Sequence, residues 1–293
     1  MTSYTFSAIT VSVDQDGVAL LTLNRPKQFN AFNRQMALDL ISAFHKFNTD
    51  DAVKVVVVTG NGPFFCSGAD FREGDFSSSE KTNAQFHNHR DGGGQVALAI
   101  HNCTKPTIAA INGAAVGVGI TMTLPMSIRY AYKDAKIGFV FSKRGICMEA
   151  CSSYFLPRLI GHSRALELAL TGRLLKAGDK TLDLLFSRVL DNKEDVLKEA
   201  MATAREIATQ CSVVAGAVSR ALIWRNSGDT PEAAHLLDSK GIMWLGNSND
   251  SKEGVTSFLE KRAAVFKDTV SEHMPPNYPW WMAPDVSVRD SKL

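Results

Sequence analysis

The chain has 293 residues, of which 45% are hydrophobic and 21% charged, and its formal net charge is +2. It is long enough to bury a substantial core in one large α/β domain or two smaller ones, and so small a charge gives no indication of nucleic-acid binding. An odd number of cysteines, without a secretory signal, C-x-x-C pair or His cluster, predicts reduced, mostly structural thiols and no metal site. The cysteines are Cys66, Cys103, Cys147, Cys151 and Cys211.

The first hundred residues alternate between strand and helix patterns. They predict strands 8–13 and 18–23 around a turn at Gly17, helix 34–47, strand 53–59 and helix 95–103. The valine-rich run 53–59 is typical of a strand buried in a parallel sheet. Residues 60–72 predict a loop with a small-residue tip, and the polar stretch 73–94 a mobile loop over a site, in which we interpret His87 and His89 as solvated.

A glycine-spaced junction from Thr107 to Thr123 follows. An apolar strand over 107–111 leads through a turn into a segment that can open a helix. Small residues there allow close approach of backbone or ligand, and the unpaired N–H groups of a helix start can bind a developing oxyanion. The alternative is that the glycines serve only close packing. The segment fits neither a P-loop nor a dinucleotide fingerprint, and we interpret the uncharged run between Lys105 and Arg129 as core and not as a membrane span.

Beyond this junction the sequence becomes helical. Strands 127–132 and 136–140, then helices 149–159 and 163–170 with Ser163 as N-cap, predict a layered α/β core with right-handed crossovers. Helical patterns then cover 194–210, 213–225, 231–244 behind Thr230 as N-cap, and 252–266 near Asp250. We assign a core to 1–200, a helical oligomerisation region to 201–270 and an extended tail to 271–293. The tail ends in Ser291, Lys292 and Leu293, the address read by the peroxisomal import receptor, which predicts a peroxisomal protein.

Three motifs, in order along the chain, resemble the enoyl-CoA hydratase/isomerase (crotonase) superfamily. They are Asn24-Arg25-Pro26 with Asn30-Ala31, the segment Phe65 to Arg72, and Lys105-Pro106 through Asn112 to Gly117. With a helix-to-loop step at 172–177, the resemblance covers roughly residues 8–270. It implies an α/β fold, a crotonase-like spiral of ββα turns with a C-terminal helical trimerisation region, and a homotrimer or a dimer of trimers.

The same resemblance implies an oxyanion hole made by the backbone N–H groups of Ala69 and Val118, each worth on the order of 3 kcal/mol in comparable sites. Hydratases of the family activate water with two glutamates, and the matching positions here are Thr121 and Phe141, which cannot exchange a proton in that role. Glu149 stands where peroxisomal Δ3,Δ2-enoyl-CoA isomerases carry their catalytic glutamate.

The resemblance therefore implies an isomerase that moves the double bond of a 3-enoyl-CoA to the 2 position, with Glu149 carrying a proton from C2 to C4. Burial among Phe141, Ile146 and Met148 is expected to raise the pKa of Glu149. Several alternatives stay open: Glu149 as an exposed acid at a helix N-terminus, a hydratase-type activity on a specialised acyl-CoA, and a CoA-binding protein without turnover. Cys66 as an acyl-accepting nucleophile lacks a His placed by motif.

The expected partner is an acyl-CoA thioester, so coenzyme A belongs to the substrate and no separate cofactor is expected. The substrate-binding positions that the resemblance implies are Lys27, Phe29, Ala31, Ser67, Gly68, Asp70, Arg72, Gly117, Phe141 and Lys261. Among them, Arg72 matches a cation near the CoA phosphates, and Lys261 matches a basic position that can reach the CoA of a neighbouring subunit.

Overall fold

Two β-sheets organise the chain, which the computed structural model describes over residues 4–73, 87–225 and 230–286. The strands are β1 (Ile9–Val13), β2 (Val18–Leu23), β3 (Val55–Gly60), β4 (Phe64–Cys66), β5 (Thr107–Ile111), β6 (Ala114–Val116), β7 (Ile128–Tyr132), β8 (Lys136–Gly138), β9 (Leu174–Lys176) and β10 (Arg188–Leu190). The helices are α1 (Arg34–Thr49), α2 (Gly92–Asn102), α3 (Val118–Thr121), α4 (Ser152–Ile160), α5 (His162–Thr171), α6 (Lys193–Gln210), α7 (Val213–Arg225), α8 (Pro231–Leu245), α9 (Asn249–Glu260) and α10 (Val270–His273).

Successive turns of the chain place one strand in each sheet. The larger sheet has the order β1-β2-β3-β5-β7-β10, and the smaller sheet the order β4-β6-β8-β9. The β1–β2 hairpin is antiparallel, and from β2 to β10 the larger sheet is parallel. The pairs β3 and β4, β5 and β6, and β7 and β8 each contribute one strand to either sheet, which confirms the predicted α/β class and its spiral of ββα turns.

The valine strand β3 separates two hydrophobic cores. Because side chains alternate across a strand, Val56 and Val58 face the main core while Val55 and Val57 face the helix α6. This helix presents small residues to the sheet, Ala200 among them. The predicted boundary at residue 200 therefore falls inside a helix that packs against the sheet.

Four strands of three residues were not predicted, because such short strands have no period to detect. They are β4, β6, β9 and β10. The first lies inside the loop predicted for 60–72, and β9 lies inside the helix-to-loop step at 172–177. By contrast, most of the longer strands and helices begin and end within a few residues of their predicted ends.

Three predicted helix ends are wrong for backbone reasons. The helix predicted over 149–159 begins only at Ser152, because Ala150 and Cys151 have φ of 54° and 55°. Gly161 and not Ser163 caps α5. The helix predicted over 252–266 ends at Glu260, where Lys261 turns into the left-handed region with φ 55°.

The C-terminal aromatics dock on the body of the protein. Trp280 Nε1 donates to the carbonyl of Arg225 at 2.9 Å, and the Arg225 guanidinium lies 5.1 Å from the ring centre of Trp281. Thr230 caps α8 as expected, since its side chain accepts from the N–H of Ala233. The tripeptide Ser291 to Leu293 lies outside the described residues.

The structure also bears on the predictions about membrane spans, metal binding and the cysteine thiols. Over 4–73, 87–225 and 230–286, no single helix is long and apolar enough to cross a membrane; α6 and α7 pass that test only together, bent by 114°. In the same ranges no cluster of three or more His, Cys, Asp or Glu side chains is placed to hold a metal. All five cysteines are free, and His87 and His89 are exposed.

Candidate active site

Two glycine-containing backbone segments touch beyond the ends of the paired strands β4 and β6 of the smaller sheet. One is the turn after β4, which contains Gly68, and the other is the junction of β6 and α3, which contains Gly117 with φ 55°. A Cβ on Gly68 would stand 3.0 Å from the carbonyl oxygen of Val116, and a Cβ on Gly117 would stand 4.0 Å from Gly68 Cα. A side chain at Gly68 would therefore press on the neighbouring segment, whereas at Gly117 the positive φ is what favours glycine.

The residues after these glycines carry unused donors. Among the hydrogen bonds of the described chain, none uses the backbone N–H of Ala69 or of Val118. Their neighbours are paired: the N–H of Asp70 donates to the carbonyl of Phe32 at 2.8 Å, and the N–H of Gly117 to that of Gly138 at 2.8 Å. Two unpaired backbone donors on touching segments are what an oxyanion hole requires.

Glu149 enters the same site from the loop before α4. Its Oε1 accepts a hydrogen bond from Thr121 Oγ1 at 2.6 Å. Its carboxyl group packs against Gly93 in the first turn of α2: a Cβ on Gly93 would overlap Oε2 and would stand 3.2 Å from Val118 Cγ2. The carboxylate is therefore a near neighbour of Val118, one of the two residues with an unused N–H.

Burial raises the pKa of Glu149 to about 7, and the charge of Asp91 adds to the rise. The Thr121 hydroxyl opposes both, because it donates to the charged form. A carboxyl with such a pKa both accepts and releases a proton near neutral pH, as a general acid–base catalyst must.

The environment of Glu149 differs in part from the prediction. Burial is the cause of the raised pKa, as expected, and Phe141 is buried. Ile146, however, is 36% exposed, and the contacts come instead from Gly93 and Thr121. The alternative of an exposed acid at a helix N-terminus is wrong, because Glu149 is half-buried and precedes the helix by three residues.

Asp70, predicted to bind substrate, is engaged by two arginines. Its buried carboxylate accepts from Arg25 Nη2 at 3.1 Å and from Arg72 Nε at 3.0 Å. The hydrogen bonds of Arg72 and then of Arg25 hold the pKa of Asp70 below its ordinary value. Arg25 also donates to the carbonyl of Ala31, so this ion pair fastens the 25–31 loop to the turn that carries Ala69.

Several predicted binding residues line the same loops. Phe29, with φ 54° and 53% exposed, packs against Phe64 with ring centres 4.7 Å apart and the rings tilted by 46°. Its carbonyl accepts from the N–H of Ser67 at 3.2 Å. Lys27 is exposed in the same loop, and Ala31 is buried. Arg72 extends outward, with its side chain 70% exposed.

The structure thus brings together Gly68, Ala69, Gly117, Val118 and Glu149. Lys261 lies elsewhere in the fold, at the C-terminal end of α9. Two residues of the site were missed. From the sequence, Thr121 is assessed only as a possible acid or base. Asp91 lies in a polar stretch, and its sequence signal is that of a helix N-cap, an Asp followed by three glycines.

Comparisons with known proteins identify the family of this chain. The sequence matches the enoyl-CoA hydratase/isomerase family model over residues 14–269, and the chain belongs to this family. Enoyl-CoA hydratase AKT3-2 of Alternaria alternata is 51% identical over 259 residues, which cover 88% of this chain and 86% of that protein. The 1,2-epoxyphenylacetyl-CoA isomerase of Escherichia coli (strain K12) is 32% identical over 260 residues, which cover 86% and 95%.

Solved structures agree with the fold. The crystal structure of an enoyl-CoA hydratase from Bacillus anthracis matches with a TM-score of 0.81 at 26% identity, covering 89% of this chain and 99% of that one. The crotonase-like spiral is therefore confirmed. Relatives named as hydratases and one named as an isomerase are all similar to this chain, so the choice of reaction has to come from the site.

Proposed function

We propose that the protein is an enoyl-CoA isomerase that converts a 3-enoyl-CoA into the conjugated 2-trans-enoyl-CoA. The observation that carries the proposal is the half-buried carboxylate of Glu149, which lies next to Val118, a residue whose backbone N–H is unused. Thr121 and Phe141 occupy the positions where the resemblance places the glutamates of a hydratase. An isomerase needs one base, whereas the usual hydration mechanism needs two carboxylates to hold and activate water.

The proposed reaction uses these groups in turn. The carboxylate of Glu149 removes a proton from C2 of the thioester, and the electron pair moves onto the thioester oxygen. The N–H groups of Ala69 and Val118 stabilise the resulting dienolate. The electrons then return through the conjugated system to C4, which takes the proton from the protonated Glu149. The double bond ends between C2 and C3, and the enzyme regains its starting protonation state.

One assay tests this proposal. The purified protein is incubated with 3-enoyl-CoA and, separately, with 2-enoyl-CoA, while the absorbance of the conjugated thioester is followed. We expect absorbance to rise with 3-enoyl-CoA and the rate to fall by at least about 10²-fold in Glu149→Gln, in line with the usual contribution of general acid–base catalysis. Glu167→Gln, an exposed glutamate on α5, is the matched control and should keep the wild-type rate. Failure of the wild type to form conjugated product contradicts the proposal.

Hydration of a 2-enoyl-CoA is the second candidate. It is favoured by the name of the 51% identical relative, which is called an enoyl-CoA hydratase, and by Asp91, whose carboxylate lies beside the Glu149 loop. In the same assay, hydration appears as loss of absorbance from 2-enoyl-CoA. Binding of CoA esters without either change would instead support a protein without turnover.

We also propose that the chain assembles as a homotrimer through its C-terminal helices. Large apolar side chains of α8 and α9 are exposed, and patches of this kind mark protein interfaces. They include Leu236 (66% exposed), Ile242 (73%), Met243 (71%), Phe258 (81%) and Leu259 (72%). Light scattering of the purified protein should give three times the chain mass, and Phe258→Asp should lower it. A monomeric mass for the wild type would overturn this assignment.

A further inference from the structure

We propose that Asp91 is a positioning residue for Glu149, holding the first turn of α2 against the Glu149 loop and setting a second negative charge beside the base. The inference rests on the proposed function in taking Glu149 as the base. It adds a residue that neither the motifs nor the family resemblance singled out.

One carboxylate oxygen makes both connections. Asp91 Oδ2 accepts from the N–H of Gly94 at 2.6 Å, which caps α2, and from the N–H of Ala150 at 3.3 Å. Ala150 directly follows Glu149 in the chain. Asp91 therefore joins the start of one helix to the backbone of the loop that carries the base.

The joined loop has an unusual backbone. Ala150 and Cys151 both have positive φ, of 54° and 55°, a region that residues other than glycine seldom occupy. Such a conformation persists where surrounding contacts hold it. The bond from the N–H of Ala150 to Asp91 is one of those contacts, so its loss frees the loop to relax away from α2.

The position of α2 also determines where the carboxyl group of Glu149 can lie. Its Oε2 packs against Gly93, two residues after Asp91 and in the same helical turn. The side chain of Asp91 thus holds the first turn of α2, against which the carboxyl group of Glu149 packs, and the backbone of the loop that carries Glu149.

Asp91 also acts through its charge. In the described chain, the polar side chains that interact with the carboxyl group of Glu149 are the carboxylate of Asp91 at the start of α2, the hydroxyl of Thr121 from α3, and the thiols of Cys66 and Cys151. Burial raises the pKa of both thiols, that of Cys66 to about 12, so they are neutral at physiological pH. Asp91 is therefore the charged member of the set, and it favours the protonated form of Glu149.

Two variants separate position from charge. Asp91→Asn keeps an oxygen that can accept from both N–H groups but removes the charge, whereas Asp91→Ala removes both. We expect the acid limb of the kcat/KM profile to move to lower pH in both variants, by about half a pH unit, the order of effect of an exposed like charge. Above that limb, Asp91→Asn should keep kcat/KM within about tenfold of wild type, while Asp91→Ala should lose on the order of 10²-fold.

Asp179→Asn is the matched control, because Asp179 accepts from the N–H of Thr181 at 2.8 Å in a capping role of its own. It should change neither the plateau nor the pH limb. An Asp91→Asn variant with the wild-type limb overturns the electrostatic role, and an Asp91→Ala plateau equal to that of Asp91→Asn overturns the positioning role.

A measurement without turnover keeps this inference separate from the proposed reaction. The carboxyl of Glu149 is titrated by infrared difference spectroscopy against Glu149→Gln, in the wild type and in the Asp91→Asn background. The midpoint should be lower in the Asp91→Asn background, and equal midpoints contradict the inference. If the wild type isomerises no 3-enoyl-CoA, the proposed function fails while this titration still decides the role of Asp91.

Discussion

Replacing Gly93 with alanine would place a methyl group where the carboxyl group of Glu149 now lies. The new Cβ would stand 3.2 Å from the carboxyl carbon, which is a tight contact. It would overlap Oε2, so this oxygen has to move. The oxygen therefore has to swing away by about 1 Å, a misplacement that costs on the order of 10²-fold in rate. The fold should tolerate the change, because the displaced atom ends a flexible side chain and alanine is favoured over glycine in a helix by roughly 0.5–1 kcal/mol.

Gly92→Ala is the matched control for this variant. It adds a methyl group to the same helical turn, but its Cβ would stand 3.8 Å from Ala37 Cβ and 3.9 Å from Phe32 Cε1, which are ordinary contacts. The assay is kcat/KM for a 3-enoyl-CoA together with the free energy of unfolding in urea. Both variants should be as stable as wild type or slightly more so, and only Gly93→Ala should lose activity. Wild-type activity in Gly93→Ala, or equal losses in the two, would refute the proposed placement of the base.

Three further predictions concern Glu149 and the ion pair of Arg25 with Asp70. Thr121→Val removes the hydrogen bond that lowers the pKa of Glu149, so the acid limb of kcat/KM should move to higher pH; an unmoved limb counts against the contact. Because the pKa of Glu149 is raised from 4.5 to about 7, the stability contributed by its neutral form is present below about pH 4.5 and is lost as the pH rises through 7. The unfolding free energy of Glu149→Gln relative to wild type should therefore increase between pH 5 and pH 8, and a constant difference contradicts the raised pKa. Arg25→Lys loses the planar fork that joins Asp70 to Ala31 and should lower the unfolding free energy by about 1–3 kcal/mol in urea titrations; Lys27→Arg, in the same loop but exposed, should change it little.

The long elements could be predicted because each imposes its own period. The run of valines in β3 has the composition of a strand buried on both faces, and α6 repeats its alanines at helical spacing against that strand. The motif order then placed Gly68 and Gly117, and with them the two backbone donors. A backbone site of this kind is readable from sequence because the approach of one main chain to another demands glycine.

The surroundings of Glu149 could not be predicted in the same way. Its contacts come from three separate elements: Gly93 and Asp91 from the start of α2, Thr121 from α3, and the strained turn at Ala150 from its own loop. No sequence period links these positions. The assignment of 149–159 as one helix also hid the turn, because helical periodicity carries no information on positive φ at single residues.

Thr121 illustrates how residue type alone misled the interpretation. A threonine cannot serve as the acid or base of a hydratase, and on that ground it was given no part in proton transfer. The structure gives it a different part, since its hydroxyl donates to Glu149 at 2.6 Å and favours the carboxylate form. A donor role depends on the partner's position, which only the folded chain supplies.

The central claim of the proposed mechanism is that Glu149 is a single base that carries one proton between two carbons of the substrate. The most direct test uses a 3-enoyl-CoA labelled with deuterium at C2, converted in ordinary water and examined by NMR. A single shuttling carboxyl group predicts conjugated product in which part of the label has moved to C4, and no product from Glu149→Gln. A 3-hydroxyacyl-CoA as the first product, or a conjugated product whose C4 never carries the label, would contradict the account.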